Sequence, residues 1–131
     1  MEEATEPRPQ SSSAVISREI VRLHANLYGR GPTKAKTYVH PEYVLCVLDD
    51  VFTSAEVTLI RAGKEELVRT TRVAFQEATR KDFCDIVERA TGWRVRAFHS
   101  QIDPQSNTVI EGFLLDSGAT VDGDGRPPPE P

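Results

Sequence analysis

The sequence lacks any apolar run that approaches the roughly 20 residues needed to cross a bilayer as a helix. Its opening segment, MEEATEPRPQSSS, is acidic and polar, whereas a secretory signal begins with basic residues followed by an apolar stretch. Cysteine is scarce as well: Cys46 and Cys84 form no CxxC motif, and no pair of histidines stands beside either of them. These absences predict a cytoplasmic protein that does not insert into a membrane and whose two thiols are reduced and buried.

Basic residues are not in excess, since 16 Lys and Arg stand against 20 Asp and Glu and give a net charge of −4. The acidic excess lies at the two ends of the chain, and the middle is close to balance. A balanced middle with acidic ends has no general attraction to nucleic acid or to anionic lipid. We therefore expect no nucleic-acid partner, and any basic site must be local.

A chain of 131 residues has the size of one domain with a real core. Its last segment, GATVDGDGRPPPEP, consists largely of Gly, Asp and Pro. So little apolar surface cannot offset the entropy that is lost on ordering, and the polar opening segment has the same character. We predict disordered tails at residues 1–12 and 117–131 around a single domain at residues 13–116.

Apolar periodicity predicts a helix followed by two strands. A serine cluster that can cap the helix precedes the stripe, and Gly29 can end it. The stripe consists of Ile16, Ile20, Leu23 and Leu27. Beyond it, AKTYVHPEYVLCVLDD is rich in β-branched and aromatic residues. The segment YVLCVLD is apolar on both of its faces, which indicates a central strand that is covered on both faces.

Helix signals return in TSAEVTLIRAG, where Thr53 and Glu56 have the spacing of a capping box. The segment KEELVRTTRVAFQEATRKDFCDIVERATG is then typical of one long helix. Its predicted inner stripe consists of Leu67, Thr71, Ala74, Phe75, Ala78, Phe83, Ile86, Val87 and Ala90. Two strand patterns, WRVRAFHSQI and TVIEGFLLD, flank the turn-forming DPQSN and predict an antiparallel hairpin.

The predicted fold class is α+β, with an antiparallel sheet of about four strands in the order helix-β-β-helix-helix-β-β and with the helices packed on it. Helices packed on such a sheet leave its second face in need of cover. A second copy of the chain would supply that cover, so we expect a homodimer.

The basic segment YGRGPTKAKTYV has two interpretations. Glycines that free backbone amides and cations nearby are typical of anion-binding loops. That interpretation places ligand or partner contacts at Gly29, Arg30, Gly31, Lys34 and Lys36. The segment is not GxxxxGK[ST], however, and it runs from a helix into a strand, whereas phosphate loops run from a strand into a helix. A glycine that ends a helix, with a proline beyond it, explains the same segment as an ordinary helix stop, and the sequence leaves both interpretations open.

No local motif in the sequence places a nucleophile beside a base. His99 falls on the predicted inward face of its strand with Gln101 nearby, while Phe98 falls on the other face. We take His99 and Gln101 as further candidate contacts for a ligand or partner. Asp49 and Asp50 end the central strand, but neighbouring strand residues point to opposite faces, so a turn explains them as well as a metal site does. We predict no catalytic residue, no metal and no cofactor; a hydrolase built on His99 and Asp49 is a further alternative.

Taken as a set, GRGPTKAKTYV, VLCVLDDVFTSAEVTL, ELVRTTRVAFQEA and TGWRVRAFHSQID resemble the MpsC-like family of small bacterial domains, over residues 17–115. The family is named after a sodium-translocating, membrane-potential-generating system, and its name rests on association with membrane proteins that move ions or inorganic carbon. The resemblance implies a non-enzymatic accessory or regulatory domain of such a system, which acts by protein binding, with a membrane transport protein as a partner. It carries over no catalytic residues. The alternative is a small-anion or nucleotide sensor that uses the GRGPTKAK loop.

Overall fold

A computed structural model describes residues 11–116. These residues form helices and strands in the order α1 (Ser12–Tyr28), β1 (Lys34–His40), β2 (Tyr43–Asp49), α2 (Ser54–Arg61), α3 (Glu65–Ala78), α4 (Arg80–Thr91), β3 (Arg94–Asp103) and β4 (Thr108–Asp116). The tails predicted to be disordered, residues 1–12 and 117–131, lie outside the described residues except for Ser11, which caps α1, and Ser12, which begins it.

The four strands form one antiparallel sheet in the order β1-β2-β4-β3. Each hairpin, β1-β2 and β3-β4, contributes one of the two central strands. The predicted α+β fold with a four-stranded antiparallel sheet is therefore confirmed, and so is the central place of YVLCVLD. The sequence also predicts that this strand is covered on both faces. In the described part of the chain only one face is covered, because the helices there pack on one face of the sheet.

Helix α1 brings both apolar and polar side chains to the sheet. The Ser11 hydroxyl accepts a hydrogen bond from the backbone N–H of Ala14 at 3.2 Å, and Gly29 ends the helix at a φ of 86°. Ile16 and Ile20 are fully buried, as the stripe predicts. His24, which the apolar stripe leaves out, is buried beside them, so α1 carries a polar group into the core.

The helix predicted between the two hairpins as one long element is broken at Thr79. Helix α3 ends just before this residue and α4 begins just after it, and the Thr79 hydroxyl donates a hydrogen bond to the carbonyl of Phe75 at 2.6 Å. A threonine hydroxyl that bonds the carbonyl four residues earlier competes with the helical pattern and bends the chain. The segment between the hairpins therefore contains three helices, where the sequence predicts two.

The inner face of α3 also differs from the predicted stripe. Leu67 and Phe75 were predicted to lie inside, yet they are 53% and 39% exposed. Val68, Arg72 and Gln76 are buried instead. Apolar periodicity fails here because the polar groups of α3 find partners inside the protein, as described below. The predicted stripe of α4 is confirmed by three buried residues: Phe83, Ile86 and Val87.

Strand β3 contains an irregularity that reverses its alternation. Its register against β4 shifts between Val95 and Ala97. One extra residue in a strand exchanges the two faces beyond that point. Phe98 therefore points inward, where its ring centroid lies 4.8 Å from that of Phe113. The prediction that His99 faces inward is wrong: it is exposed on the side of the sheet away from the helices.

The core lies between the helices and the inner face of the sheet. Its fully or nearly buried apolar residues are Ile16, Ile20, Val44, Cys46, Leu48, Val51, Phe52, Val68, Phe83, Ile86, Val87, Ile102, Val109, Phe113 and Leu115. Burial of these side chains supplies the main favourable term in folding.

Candidate functional site

The face of the sheet that points away from the helices is a regular array of side chains, which we call the outer face. The strand register aligns sixteen of its residues in four rows across the sheet, and beyond the fourth row Arg94 of β3 pairs with Asp116 of β4. Starting from the β3-β4 turn, the rows are Lys34, Asp49, Thr108 and Asp103; Lys36, Val47, Ile110 and Gln101; Tyr38, Leu45, Gly112 and His99; and His40, Tyr43, Leu114 and Ala97, each in the order β1-β2-β4-β3.

The middle of the outer face is apolar and accessible. Tyr38, Ile110 and Tyr43 are 49%, 46% and 42% exposed, and Leu45, Val47 and Leu114 between them are partly buried only by their neighbours. No described element packs over these side chains. Contiguous apolar surface with exposed tyrosines is typical of protein–protein interfaces.

The first row of the outer face carries opposite charges at its two ends, Lys34 on β1 and Asp103 on β3. Lys36 follows Lys34 along the β1 edge, and the far end of β3 carries the exposed Arg94 and Arg96. The Asp103 carboxylate accepts hydrogen bonds from the N–H of Gln105 at 3.2 Å and from the hydroxyl of Ser106 at 3.0 Å, both within its own turn. Within residues 11–116, the ion pairs of the protein involve neither Lys34 nor Asp103. Both charges are therefore available to a molecule that binds this face.

Four of the seven predicted contact residues lie on the outer face. Lys34 and Lys36 stand on the β1 edge, and the strand irregularity places His99 and Gln101 on the β3 edge, in the rows of Tyr38 and Lys36. The sequence thus identified residues at two opposite edges of one surface without showing that they share it. The other three, Gly29, Arg30 and Gly31, lie in the turn after α1.

That turn is held by contacts within the protein. The guanidinium of Arg30 donates to both carboxylate oxygens of Asp50, at 3.1 and 3.3 Å, and to the carbonyl of Phe52 at 2.7 Å. The hydrogen bond from Arg30 is the main reason that the pKa of the exposed Asp50 lies below its ordinary value, and the charge of Arg30 and the Thr33 hydroxyl act in the same direction. Arg30 therefore already has an anionic partner.

The glycines of the turn have structural roles. The Gly29 N–H donates to the carbonyl of Ala25 at 2.9 Å, and the Thr33 N–H donates to the carbonyl of Asp49 at 3.1 Å. A Cβ atom on Gly31 would lie 2.7 Å from the carbonyl oxygen of Val21, too close for any side chain. These contacts favour the helix-stop interpretation of GRGPTK over an anion-binding loop, because two of its amides are already bonded to carbonyls.

A row of polar side chains crosses the inner face of the sheet, and sequence reasoning did not predict it. Thr37, Cys46, Glu111 and Ser100 stand side by side on the four strands. At one end the Thr37 hydroxyl lies 2.7 Å from that of Ser17 on α1 and donates to the Cys46 sulfur at 3.4 Å. Burial raises the pKa of the Cys46 thiol to about 12, against the lowering effect of the Thr37 hydrogen bond. The row fixes α1 in position on the sheet.

At the other end of the row, α3 makes an equivalent contact. The Gln76 amide donates to the hydroxyl of Ser100 at 2.7 Å. In the middle, Nε2 of His24 lies 3.0 Å from Oε2 of Glu111, and both side chains are shielded from solvent. The single local sign of this arrangement is a glutamate in the otherwise apolar strand TVIEGFLLD.

Arg72 forms a second buried polar centre beside this row. Its guanidinium donates to both carboxylate oxygens of Glu56, at 2.8 and 2.7 Å, and lies 3.9 Å from the centre of the Tyr28 ring. Burial raises the pKa of Tyr28 to about 12, opposed by the positive charge of Arg72. Glu56 also completes the predicted capping box with Thr53, so one carboxylate caps α2 and holds α3.

Four polar atoms in this interior have no hydrogen-bond partner among the described residues: His24 Nδ1, Tyr28 Oη, Arg72 Nη1 and Glu111 Oε1. They are carried by neighbouring side chains, with the His24 and Tyr28 rings 5.6 Å apart. Such atoms are commonly satisfied by buried water. The described residues contain no group of three or more His, Cys, Asp or Glu side chains placed to hold a metal ion.

In the part of the chain that the structure describes, none of the helices combines the length and the apolar character that a membrane span requires.

Comparisons with known proteins identify one family and one curated relative. The family model described as "Na+-translocating membrane potential-generating system (MpsC)" matches residues 10–117. The chain is 24% identical over 106 residues to "Uncharacterized protein YbcI" of Bacillus subtilis (strain 168), which covers 80% of this chain and 86% of that protein. No solved structure matches the chain.

Proposed function

This chain belongs to the MpsC family, and on that premise we propose that it is a non-enzymatic accessory domain of a membrane-potential-generating or membrane ion or inorganic-carbon transport system. It acts by binding protein, and the surface that it uses is the outer face. The link to a membrane system comes from the family description. The proposed mode of action is supported by the accessible outer face.

The observation that carries the proposal is the accessible apolar centre of the outer face. Nothing within residues 11–116 covers Tyr38, Tyr43 and Ile110, and a bound protein would remove them from water. Tyrosine supplies a large contact area with a polar tip at low entropic cost, which makes it common at interfaces. The charged edges around this centre would set the orientation of the bound protein.

The proposal is tested by site-specific photo-crosslinking in cells that express the full chain. A photo-reactive phenylalanine analogue replaces Ile110 at the centre of the outer face. In the matched control it replaces Val73 of α3, which is 48% exposed against 46% for Ile110 but lies on the opposite layer of the fold. Adducts are separated by mass, identified, and located in the membrane or the aqueous fraction.

We expect adducts from position 110, few from position 73, and recovery of the position-110 adducts with the membrane fraction. The absence of adducts from position 110, or equal yields from the two positions, would show that the outer face is not the binding surface. If neither the chain nor its adducts were found in the membrane fraction, the association with a membrane system would be disproved, whichever protein the adducts contain.

A further inference from the structure

We propose that the outer face is covered by a second copy of this chain, and that the two sheets pack face to face about a twofold axis parallel to the strands and between β2 and β4. The inference rests on the proposed function and deepens it, because it names the protein that binds this face. It is carried by the order of side chains in the four rows.

A twofold axis in this direction reverses the order of the strands and keeps the order of the rows. The β1 edge of one copy then lies over the β3 edge of the other, and β2 lies over β4. Face-to-face sheets pack about 10 Å apart and about 30° from parallel, which the long side chains of the edges can bridge.

In the first row this arrangement places Lys34 against Asp103 of the second copy. Asp49 lies against Thr108 of the second copy. The symmetry repeats the first contact, so the Lys34 and Asp103 of both copies, which have no ion-pair partner within residues 11–116, obtain one in the dimer.

In the next rows, apolar groups meet apolar groups. Val47 lies against Ile110 of the second copy, and Tyr43 lies against Leu114 of the second copy. Leu45 lies against Gly112 of the second copy. A Cβ atom on Gly112 would have no neighbour within 4 Å, so the outer face is open at this position and can receive a leucine side chain.

The other in-plane twofold axis, perpendicular to the strands, gives poor contacts. It keeps the order of the strands and reverses the rows, so that Lys34 would lie against His40 and Asp49 against Tyr43 of the second copy. Lys34 would lose water without gaining a carboxylate, and Asp49 would lose water without gaining a cation, which is costly. The pairing of Lys34 with Asp103 therefore favours the axis parallel to the strands.

The size of the outer face indicates a reversible dimer. Four strands at about 4.8 Å and four rows at about 6.8 Å enclose a footprint of roughly 500 Å². This is smaller than the area of about 800 Å² per partner that is usual for stable complexes. We therefore expect dissociation in the micromolar range, and measurements must extend to several hundred micromolar.

The experiment is sedimentation velocity on the full chain with paired charge reversals. Lys34→Asp and Asp103→Lys are each expected to weaken self-association tenfold or more, since each places two pairs of like charges across the interface. An equimolar mixture of the two variants, and the double variant in one chain, should restore it. Controls with the same changes of charge are Arg80→Asp and Glu77→Lys, at exposed positions of the helical layer, and these should leave self-association unchanged.

A second pair of variants avoids the hydrogen bonds that Asp103 makes within its turn. In the second row Lys36 lies against Gln101 of the second copy, and Lys36→Asp and Gln101→Lys change the charges at these two positions. An equimolar mixture of the two variants should restore association in the same way. Restoration in neither mixture would overturn the twofold arrangement. A chain that stays monomeric throughout would overturn the dimer. In that case a position-110 adduct with a different protein would leave the proposed function standing, whereas no adduct at all would remove both.

Discussion

Nε2 of His24 lies 3.0 Å from Oε2 of Glu111, although the two residues are 87 positions apart in the chain, and neither side chain is more than 1% exposed. The contact joins α1 to a central strand at the middle of the polar row. Removing one member of a buried pair leaves the other without its partner and away from water, which costs more than the pair itself contributes.

The pair should therefore respond unequally to single and double substitutions. Glu111→Ala should lower the free energy of unfolding by about 3–5 kcal/mol. The double variant His24→Leu/Glu111→Leu should lose less than the sum of the two single leucine variants, because it leaves no unpaired polar group. Urea unfolding at pH 7 measures these differences, with Glu66→Ala at an 83% exposed position as the control. A loss below about 1 kcal/mol for Glu111→Ala would show that the pair is not important for stability.

Glu56 should make the fold sensitive to acid. Burial raises its pKa, but hydrogen bonds from Arg72 and Thr53 outweigh this and hold the pKa below the ordinary value of 4.5. A carboxylate with a lowered folded pKa stabilises the fold above its unfolded pKa, and the contribution is lost as the pH falls through 4.5 towards the folded value.

Urea unfolding between pH 3 and pH 7 should therefore show a loss of stability below pH 4.5 that is smaller in Glu56→Gln. Glutamine preserves the capping box and can still accept from Arg72, so this variant removes the charge and keeps the shape. Identical pH profiles for the wild-type protein and Glu56→Gln would show that Glu56 does not cause the loss of stability in acid. Glu65→Gln, at a partly exposed position in the first turn of α3, is the control for loss of one carboxylate.

The sequence was sufficient to predict the sheet, because periodicity and turn residues act locally. The capping box of Thr53 and Glu56 and the glycine that ends α1 were found for the same reason. Contacts between residues that are distant in the chain were not predicted. Nothing near His24 in the chain indicates that Glu111 will meet it.

The wrong predictions for the face of His99 and for the inner face of α3 have a common physical origin. Periodicity assigns a residue to a face by counting, and the shift near Ala97 invalidates the count for His99. Counting also places apolar residues inside, so it cannot predict that Arg72 and Gln76 occupy the inner face of α3 while Leu67 is exposed. Both features depend on partners from other elements, which a single segment does not reveal.

Gly31 should be intolerant of any side chain. Gly31→Ala brings a Cβ atom to 2.7 Å from the carbonyl oxygen of Val21, so the turn must shift, and we expect a loss of about 1–3 kcal/mol. Gly112→Ala, where a Cβ has no neighbour within 4 Å, should change stability by less than about 0.5 kcal/mol in the monomer. Thermal unfolding at low protein concentration measures both. Equal effects at the two glycines would show that the turn after α1 is not constrained by Val21.

The two cysteines should differ in reactivity because only the thiolate attacks an alkylating reagent. Burial raises the pKa of Cys46 to about 12, and its side chain is inaccessible. Burial also raises the pKa of Cys84, but this residue is only partly buried on α4. Iodoacetamide at pH 8 should therefore modify Cys84 first, and mass spectrometry should show a single adduct on the native protein and two adducts in urea.

Modification of Cys46 in the native protein then measures how often the polar row opens. Cys84→Ser isolates this reaction, and its rate should rise in Glu111→Ala, because Cys46 and Glu111 are neighbours across β2 and β4. Substitution of the exposed Glu66 should leave the rate unchanged. If Cys46 reacted as fast as Cys84 without denaturant, the row would be open to solvent in the native state, and its hydrogen bonds could not be what fixes α1 on the sheet.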